Sequence, residues 1–379
     1  LERLNLLYPN NYDIKLYLLT ILIRNDSNAR ALELFDDLSK DPNLNNDIKS
    51  YIENLIKEYQ TRTLNTQKSD KKKTYLTVDL SLAQTDHSNL AGISDSGTFF
   101  ISNNISSYAA NEIKHDQTNN QGINVTLSHE LSNTSSLVAR AGISNTTQDK
   151  GRTEENDLVS SSLIYNKRFE KNVISPYLVY SSPNYRTQND AHTFVAGINH
   201  RYDLNQKTNL NLATSFARNN FNNTSTFTTA NVKNNNTYSF NLGLDRNLNE
   251  SNIVNSKVFF SQVDAATNYN SYDGQGVSIS YVHVFPFGAL RFEQSLEHYD
   301  YLAADSFYNS TIIRQDNLIK TSIGLNGQFK KIPILRKLDQ NDSIFYYFNY
   351  IKSDTDSNLL NYDSVKETFT MGLTKRFNF

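Results

Sequence analysis

The chain has 379 residues, no Cys and a formal net charge of −2, with a pI near 6.4. It therefore lacks the strong basic excess of nucleic-acid binders, and without Cys it can hold neither a disulfide frame nor a thiolate metal or redox site. Mean hydropathy is −0.57, yet the chain contains 23 Tyr and 21 Phe. That mixture is typical of a transmembrane β-barrel, where lumen-facing and lipid-facing residues alternate and cancel in any window. No stretch reaches the about 18 consecutive apolar residues of a membrane helix. No signal peptide is visible at Leu1, so the sequence reads as a mature or trimmed chain.

Residues 1–65 follow a helical period. Ile14, Tyr17, Leu18 and Ile21, then Leu32, Phe35 and Leu38, then Ile48, Tyr51, Ile52, Leu55 and Ile56 fall on successive helix faces. Three helices are expected, the second capped by Asp26 or Ser27 and ended by Asp41-Pro42. Ala31-x3-Phe35 followed by Pro42 looks like the second half of a tetratricopeptide repeat; an ordinary helical hairpin would use the same residues. Repeat arrays bury their faces against neighbours, so further repeats are expected upstream of Leu1. Residues 66–74, within the polar run RTLNTQKSDKKKT, read as a linker, its lysines solvated rather than bound to lipid headgroups.

From Tyr75 the period becomes two. Leu210, Leu212, Thr214 and Phe216 alternate with Asn211, Ala213 and Ser215, and Tyr238, Phe240, Leu242 and Leu244 with Ser239, Asn241 and Gly243. The same pattern recurs at Val277, Ile279, Tyr281, His283 and Phe285 and at Ile319, Thr321, Ile323 and Leu325. Strands of about 10 residues cross a bilayer when tilted. Short connections at 169–172, 204–207, 247–252 and 286–288 alternate with longer polar ones at 184–190, 220–234, 267–274 and 303–316. Short periplasmic turns and longer outer loops are the arrangement of an outer-membrane barrel.

Candidate strands number one more than an even total, and a bacterial single-chain barrel needs an even one. Counting back from the end, turn and loop keep their phase to 120–131, so only one of 75–85 and 97–108 belongs to the wall. The expected fold is mainly β. It is an antiparallel barrel of about 14 strands over 75–379, with 75–85 first and 97–108 in a long outer loop or inward fold, preceded by the small α-helical, tetratricopeptide-like periplasmic domain.

In the last strand Phe369, Met371, Leu373, Phe377 and Phe379 share one face, and Thr370, Gly372, Thr374 and Arg376 the other. The first set suits lipid and the second a wet lumen, with Lys375 near enough to the end to snorkel. Alternation ending in Phe is similar to the signal read by the barrel assembly machinery. The stretch before it, Asp356-Ser357-Asn358-Leu359 with Tyr362, leads into Gly372-Leu-x-Lys-x-Phe377. Together with the architecture, this closing hairpin resembles the surface lipoprotein assembly modifier (Slam) family, the outer-membrane component of the type XI secretion system. The resemblance implies a Gram-negative outer-membrane translocator that displays or exports a client, either a surface lipoprotein or a soluble haem- or iron-acquisition protein. It implies no cofactor and no catalytic residue.

The seven His residues are scattered, without a His-x3-His pair, so no metal site is expected. Asp86-His87 and Lys114-His115-Asp116 fall near the expected outer rim, but no G-x-S-x-G motif accompanies them and the chain is not expected to be an enzyme. A passive porin for small solutes shares every barrel feature and is the alternative function. A receptor or adhesin acting through its outer loops is a third reading, for which only 87–119 is long enough.

Overall fold

The structure is a computed structural model. It describes residues 74–379 apart from 91, 95, 108–114, 151–154, 186–190, 224–227, 338 and 340–342, and before them six single positions between 15 and 38. Two compact units separate, Leu1–Lys72 and Lys73–Phe379.

Alternating strands need partners on both sides in lipid, because an unpaired backbone edge is too costly there. The second unit supplies them by closing on itself. Its wall has fourteen antiparallel strands: β1 (Thr74–His87) and, after a hairpin of β2 (Thr98–Ile101) and β3 (Asn104–Ser107), β4 (Asp116–Ser132), β5 (Ser135–Gln148), β6 (Asn156–Phe169), β7 (Asn172–Tyr185), β8 (Ala191–Asn205), β9 (Thr208–Phe221), β10 (Asn235–Asn247), β11 (Asn252–Ala265), β12 (Tyr272–Phe285), β13 (Gly288–Ala304), β14 (Ile313–Gln328), β15 (Ile344–Ser357) and β16 (Ser364–Asn378). Each wall strand pairs with its sequence neighbour, and β1 closes the ring against β16. At that seam the Phe379 N–H donates to Leu76 O at 2.9 Å, and the Leu76 N–H donates back to Phe379 O at 3.4 Å. The segment 97–108 forms the β2–β3 hairpin outside the wall, leaving β1 as the first wall strand.

The fold class expected from sequence needs one correction. The described elements are strands and three short 3-10 turns, with no α-helix among them, so the tetratricopeptide-like domain is not seen. Lys15, Leu18, Leu19, Leu22, Leu34 and Leu38 are each helical, and Leu19 and Leu38 are buried. Ala31, Phe35 and Pro42, the expected repeat-packing residues, lie outside the described residues. Helical spacing reports one buried face, which any helix can have; it does not specify a repeat.

Side-chain parity follows the pleat. Phe369, Met371, Leu373 and Phe377 are exposed on the outer face of β16, as are Leu242 and Leu244 on β10 and Val277 and Ile279 on β12. An apolar outer band around a polar interior is the pattern of an outer-membrane barrel, and this barrel is of that type. The ladder between β6 and β7 skips two pairs opposite Ser175 and Pro176 without changing register, which fits a Pro that has no N–H to donate.

Five of the six connections at the end holding Thr74 and Asn378 are tight. The sixth, 329–343, is long. It is anchored on the outer wall, where Asp339 accepts the Ser343 N–H and hydroxyl and the Ile344 N–H. Lys375 does not simply snorkel to headgroups: its ammonium donates to Ser343 Oγ, beside the Asp339 carboxylate.

Candidate functional site

The chemistry open to a barrel of this width lies in its lumen and at its mouths. Four inward aromatic residues, Tyr177, Phe259, Tyr299 and Tyr347, each stand opposite a glycine of the next strand, Gly197, Gly276, Gly274 and Gly372. A Cβ at any of these glycines would run into the facing ring. The missing side chains let the rings settle onto the wall, away from the axis.

Between the rings the lumen is polar and charged. Asn211 and Asn255 donate to the two oxygens of Asp245, and Ser280 donates to Asn255. Toward the short-turn end Asp203 pairs with Arg201 at 2.8 Å and Arg168 at 3.6 Å. Arg291 pairs with Glu293, and Arg376 spans the seam to Asp79. The few buried apolar residues of the barrel unit, Ile93, Ala230, Val263, Tyr346 and Leu359 among the described residues, do not make a packed core.

At the long-loop end a second cluster forms. Arg314 Nε donates to both oxygens of Asp316, and its guanidinium lies 3.3 Å from the ring centroid of Tyr362 and 4.4 Å from that of Tyr301. Tyr308 meets Tyr362 edge to face. Burial pushes the Tyr362 hydroxyl pKa up, Tyr308 adds to the shift, and Arg314 opposes it. Stacked and ion-paired, Arg314 is a fixed part of the mouth rather than a free cation.

The β2–β3 hairpin docks beside this cluster. The Asn361 amide acts as a substitute strand, accepting the Phe100 N–H at 2.9 Å and donating to Phe100 O at 3.0 Å. Ser102 and Asn103 donate their N–H groups to Phe307 O and Tyr308 O, and Asn103 Oδ1 accepts from the Ser310 N–H and hydroxyl. Where the chain leaves β1, Gly92 has φ +65°, and the Lys366 ammonium crowds the place a Cβ would take. Only glycine fits that conformation and that contact comfortably.

The hairpin residues singled out from sequence come together here. Asp356 and Ser357 belong to the end of β15, Asp356 outward and Ser357 buried. Asn358 accepts the Gln315 N–H and donates to Ile313 O, tying the loop to β14. Leu359 is 2% exposed. Of the terminal-strand residues, Phe369, Met371, Leu373 and Phe377 face outward and Gly372 inward under Tyr347, while the Phe379 side chain is 74% exposed.

Asp86 and His115, separate in sequence, meet with His115 Nε2 3.0 Å from Asp86 Oδ1, both well exposed. No hydroxyl bonds to this imidazole among the described residues. No group of three metal-ligating side chains forms among them either. Arg314, Asp316 and Tyr301 went unnoticed in sequence because only strand pairing brings them to Tyr362.

No family model and no curated protein matches the sequence. Solved structures similar to the chain include OmpTdeltaL8, a loop L8 deletion mutant of OmpT, an outer membrane protein of Vibrio cholerae (10% identity, TM-score 0.46, 81% of this chain and 100% of that one). Others are OccAB3 of Acinetobacter baumannii (10%, 0.40, 81% and 99%) and the outer membrane protein OprD of Pseudomonas aeruginosa (8%, 0.41, 81% and 94%). At these TM-scores the likeness carries no argument.

Proposed function

We propose that the protein is a passive outer-membrane channel for small hydrophilic solutes. One observation carries this reading: the inward faces of the fourteen strands are predominantly polar, and among the described residues no packed apolar core fills the space between them. Small barrels fill their interiors with side chains, and wide ones leave an aqueous path. The rings laid over glycines keep bulk off the axis, and the lumen carboxylates Asp203, Asp245, Glu293 and Glu297 are held to the wall by ion pairs, amides and hydroxyls. No step of such transport needs a reacting group.

Export of a client protein, implied by the resemblance of the closing hairpin, is the second reading. Asn358, Leu359 and Tyr362, on which that resemblance stands, also have packing work at the mouth. Planar-bilayer recording of the full chain separates the two. Stable, ohmic single-channel steps are expected. A folded barrel that inserts and stays electrically silent overturns the channel reading and favours export.

A further inference from the structure

Strand register places the lumen cations in one line. Starting at Arg168 on β6, the hydrogen-bonding row runs Val173, Arg201, Asn211, Gly243, Lys257, Ser278, Ser295, Lys320, Ser353 and Lys366, one residue per strand across eleven strands. Five of the eleven are Arg or Lys, and none is acidic. The residues beside them in sequence, such as Leu242, Leu244, Val258, Val277, Ile279, Leu296 and Ile319, are exposed on the apolar outer face, so the row itself faces the lumen. Because strands tilt in a barrel, the row climbs. Arg201 lies four residues from the short-turn end of β8, and Lys366 two residues from the long-loop end of β16.

At about 4.8 Å per strand, Lys257 and Lys320 are roughly 14 Å apart along the row, and Lys320 and Lys366 roughly 10 Å. The positions between them are all serine, which leaves the path clear.

Neighbouring charges decide which cations act. Asp203 pairs with both of the lower two, Arg168 and Arg201, and offsets one of their two charges. Along the adjacent inward row, two residues nearer the short turns, Asp245 is engaged by Asn211 and Asn255, and Glu293 by Arg291. On the other side Glu297 accepts from Ser295 and Tyr299. Lys257, Lys320 and Lys366 have no ion pair among the described residues, and Lys257 rests over the Phe259 ring.

Taking the channel reading as its basis, we infer that this spiral of lysines is an anion path, guiding small solutes that bear carboxylate or phosphate groups from the outer mouth inward. A free lysine about 7 Å from a passing monoanion in water raises its local concentration about threefold, less with salt. Three in sequence favour anions throughout the upper two thirds of the lumen.

The experiment is reversal-potential recording of the full chain across a potassium chloride gradient, with sodium citrate and sodium phosphate as further probes. The wild type is expected to pass chloride better than potassium. The Lys257→Gln/Lys320→Gln/Lys366→Gln variant should lose that preference by at least about threefold, and the matching Lys→Arg triple should keep it. Heat-dependent gel migration shows that each variant is folded. Block of chloride current by citrate alone, by phosphate alone or by both identifies the oxyanion, provided that the Gln triple loses the block. Cation preference in the wild type, or an unchanged ratio in the Gln triple, overturns the anion path and leaves the channel standing. A folded wild type without conductance overturns the channel reading, and this inference with it.

Discussion

The Asn361 amide is the most exposed test of how the mouth is built. Asn361→Ala removes both hydrogen bonds that hold the Phe100 backbone, each worth about 0.5–1.5 kcal/mol net. The loss is therefore about 1–3 kcal/mol, or roughly 5- to 150-fold in the population of the undocked hairpin. Four bonds through Ser102, Asn103 and Ser310 remain, so the hairpin should loosen and the barrel should not unfold. Hydrogen–deuterium exchange of the protein in detergent reads this directly. Amides of β2 and β3 should exchange faster by that factor, and those of β10 to β12 should keep their rates. If the Phe100 and Ser102 amides exchange at wild-type rates, Asn361 does not hold the hairpin.

Asp339 gives a pH test. Burial works to raise its pKa but is outweighed by the Ser343 and Ile344 N–H groups, the Ser343 hydroxyl and the nearby Lys375 charge, so the carboxyl titrates below its ordinary value. A depressed folded pKa stabilises above the unfolded value and loses that contribution as pH falls through the folded one. The 329–343 turn should thus open to proteolysis on acidification below the ordinary carboxylate range, and Asp339→Asn should open it at neutral pH; equal cleavage under all three conditions refutes the anchor. Gly372→Val should cost about 1–3 kcal/mol by overpacking against Tyr347 or drive the ring into the lumen, and Tyr347→Ala should relieve it, because every atom closest to a Cβ at Gly372 belongs to that side chain. Urea midpoints and single-channel conductance check both, and no rescue in the double variant sinks the ring-on-glycine account. Deleting Phe379 removes both backbone bonds to Leu76 at the seam; a lower folded yield on assembly into liposomes is expected, and wild-type yield would show that the terminal residue is dispensable for closure.

Much of the wall was legible in the sequence because a lipid-facing strand carries its own mark. Alternation at Phe369–Phe379 or Leu242–Leu244 reports the outer face whatever its neighbours are. The tightness of 169–172 and 204–207 and the even strand number then place 97–108 outside the wall. The 329–343 turn broke the rule of short periplasmic connections, because its anchor is the long-range meeting of Asp339 with Ser343 and Lys375, which no local pattern encodes. The helical spacing in 1–65 was over-read: one apolar stripe does not distinguish a repeat from any other packed helix. At the mouth, Tyr362 was picked out and its partners were not, since Arg314 and Tyr301 reach it only through the pairing of β13 to β16.

The lumen charges and the lipid band fix the same register from opposite sides. The cation row from Arg168 to Lys366 runs beside a carboxylate-bearing row through Asp203, Asn209, Asp245, Asn255, Ser280 and Glu293, two residues away on every shared strand. Both rows exist only in the observed pairing. A one-residue slip turns every side chain of a strand to the other face. For β11 that would place Lys257 where Val258 meets lipid, at a cost of about 2–4 kcal/mol near the midplane, while leaving Asp245 without Asn255. Each strand that carries a row residue therefore resists slippage on both faces at once. A lumen cation can then be exchanged for a neutral polar residue without loosening the wall, because the apolar band still holds the register. That separation is what allows the lysine spiral to be altered for selectivity while the barrel itself stays the same.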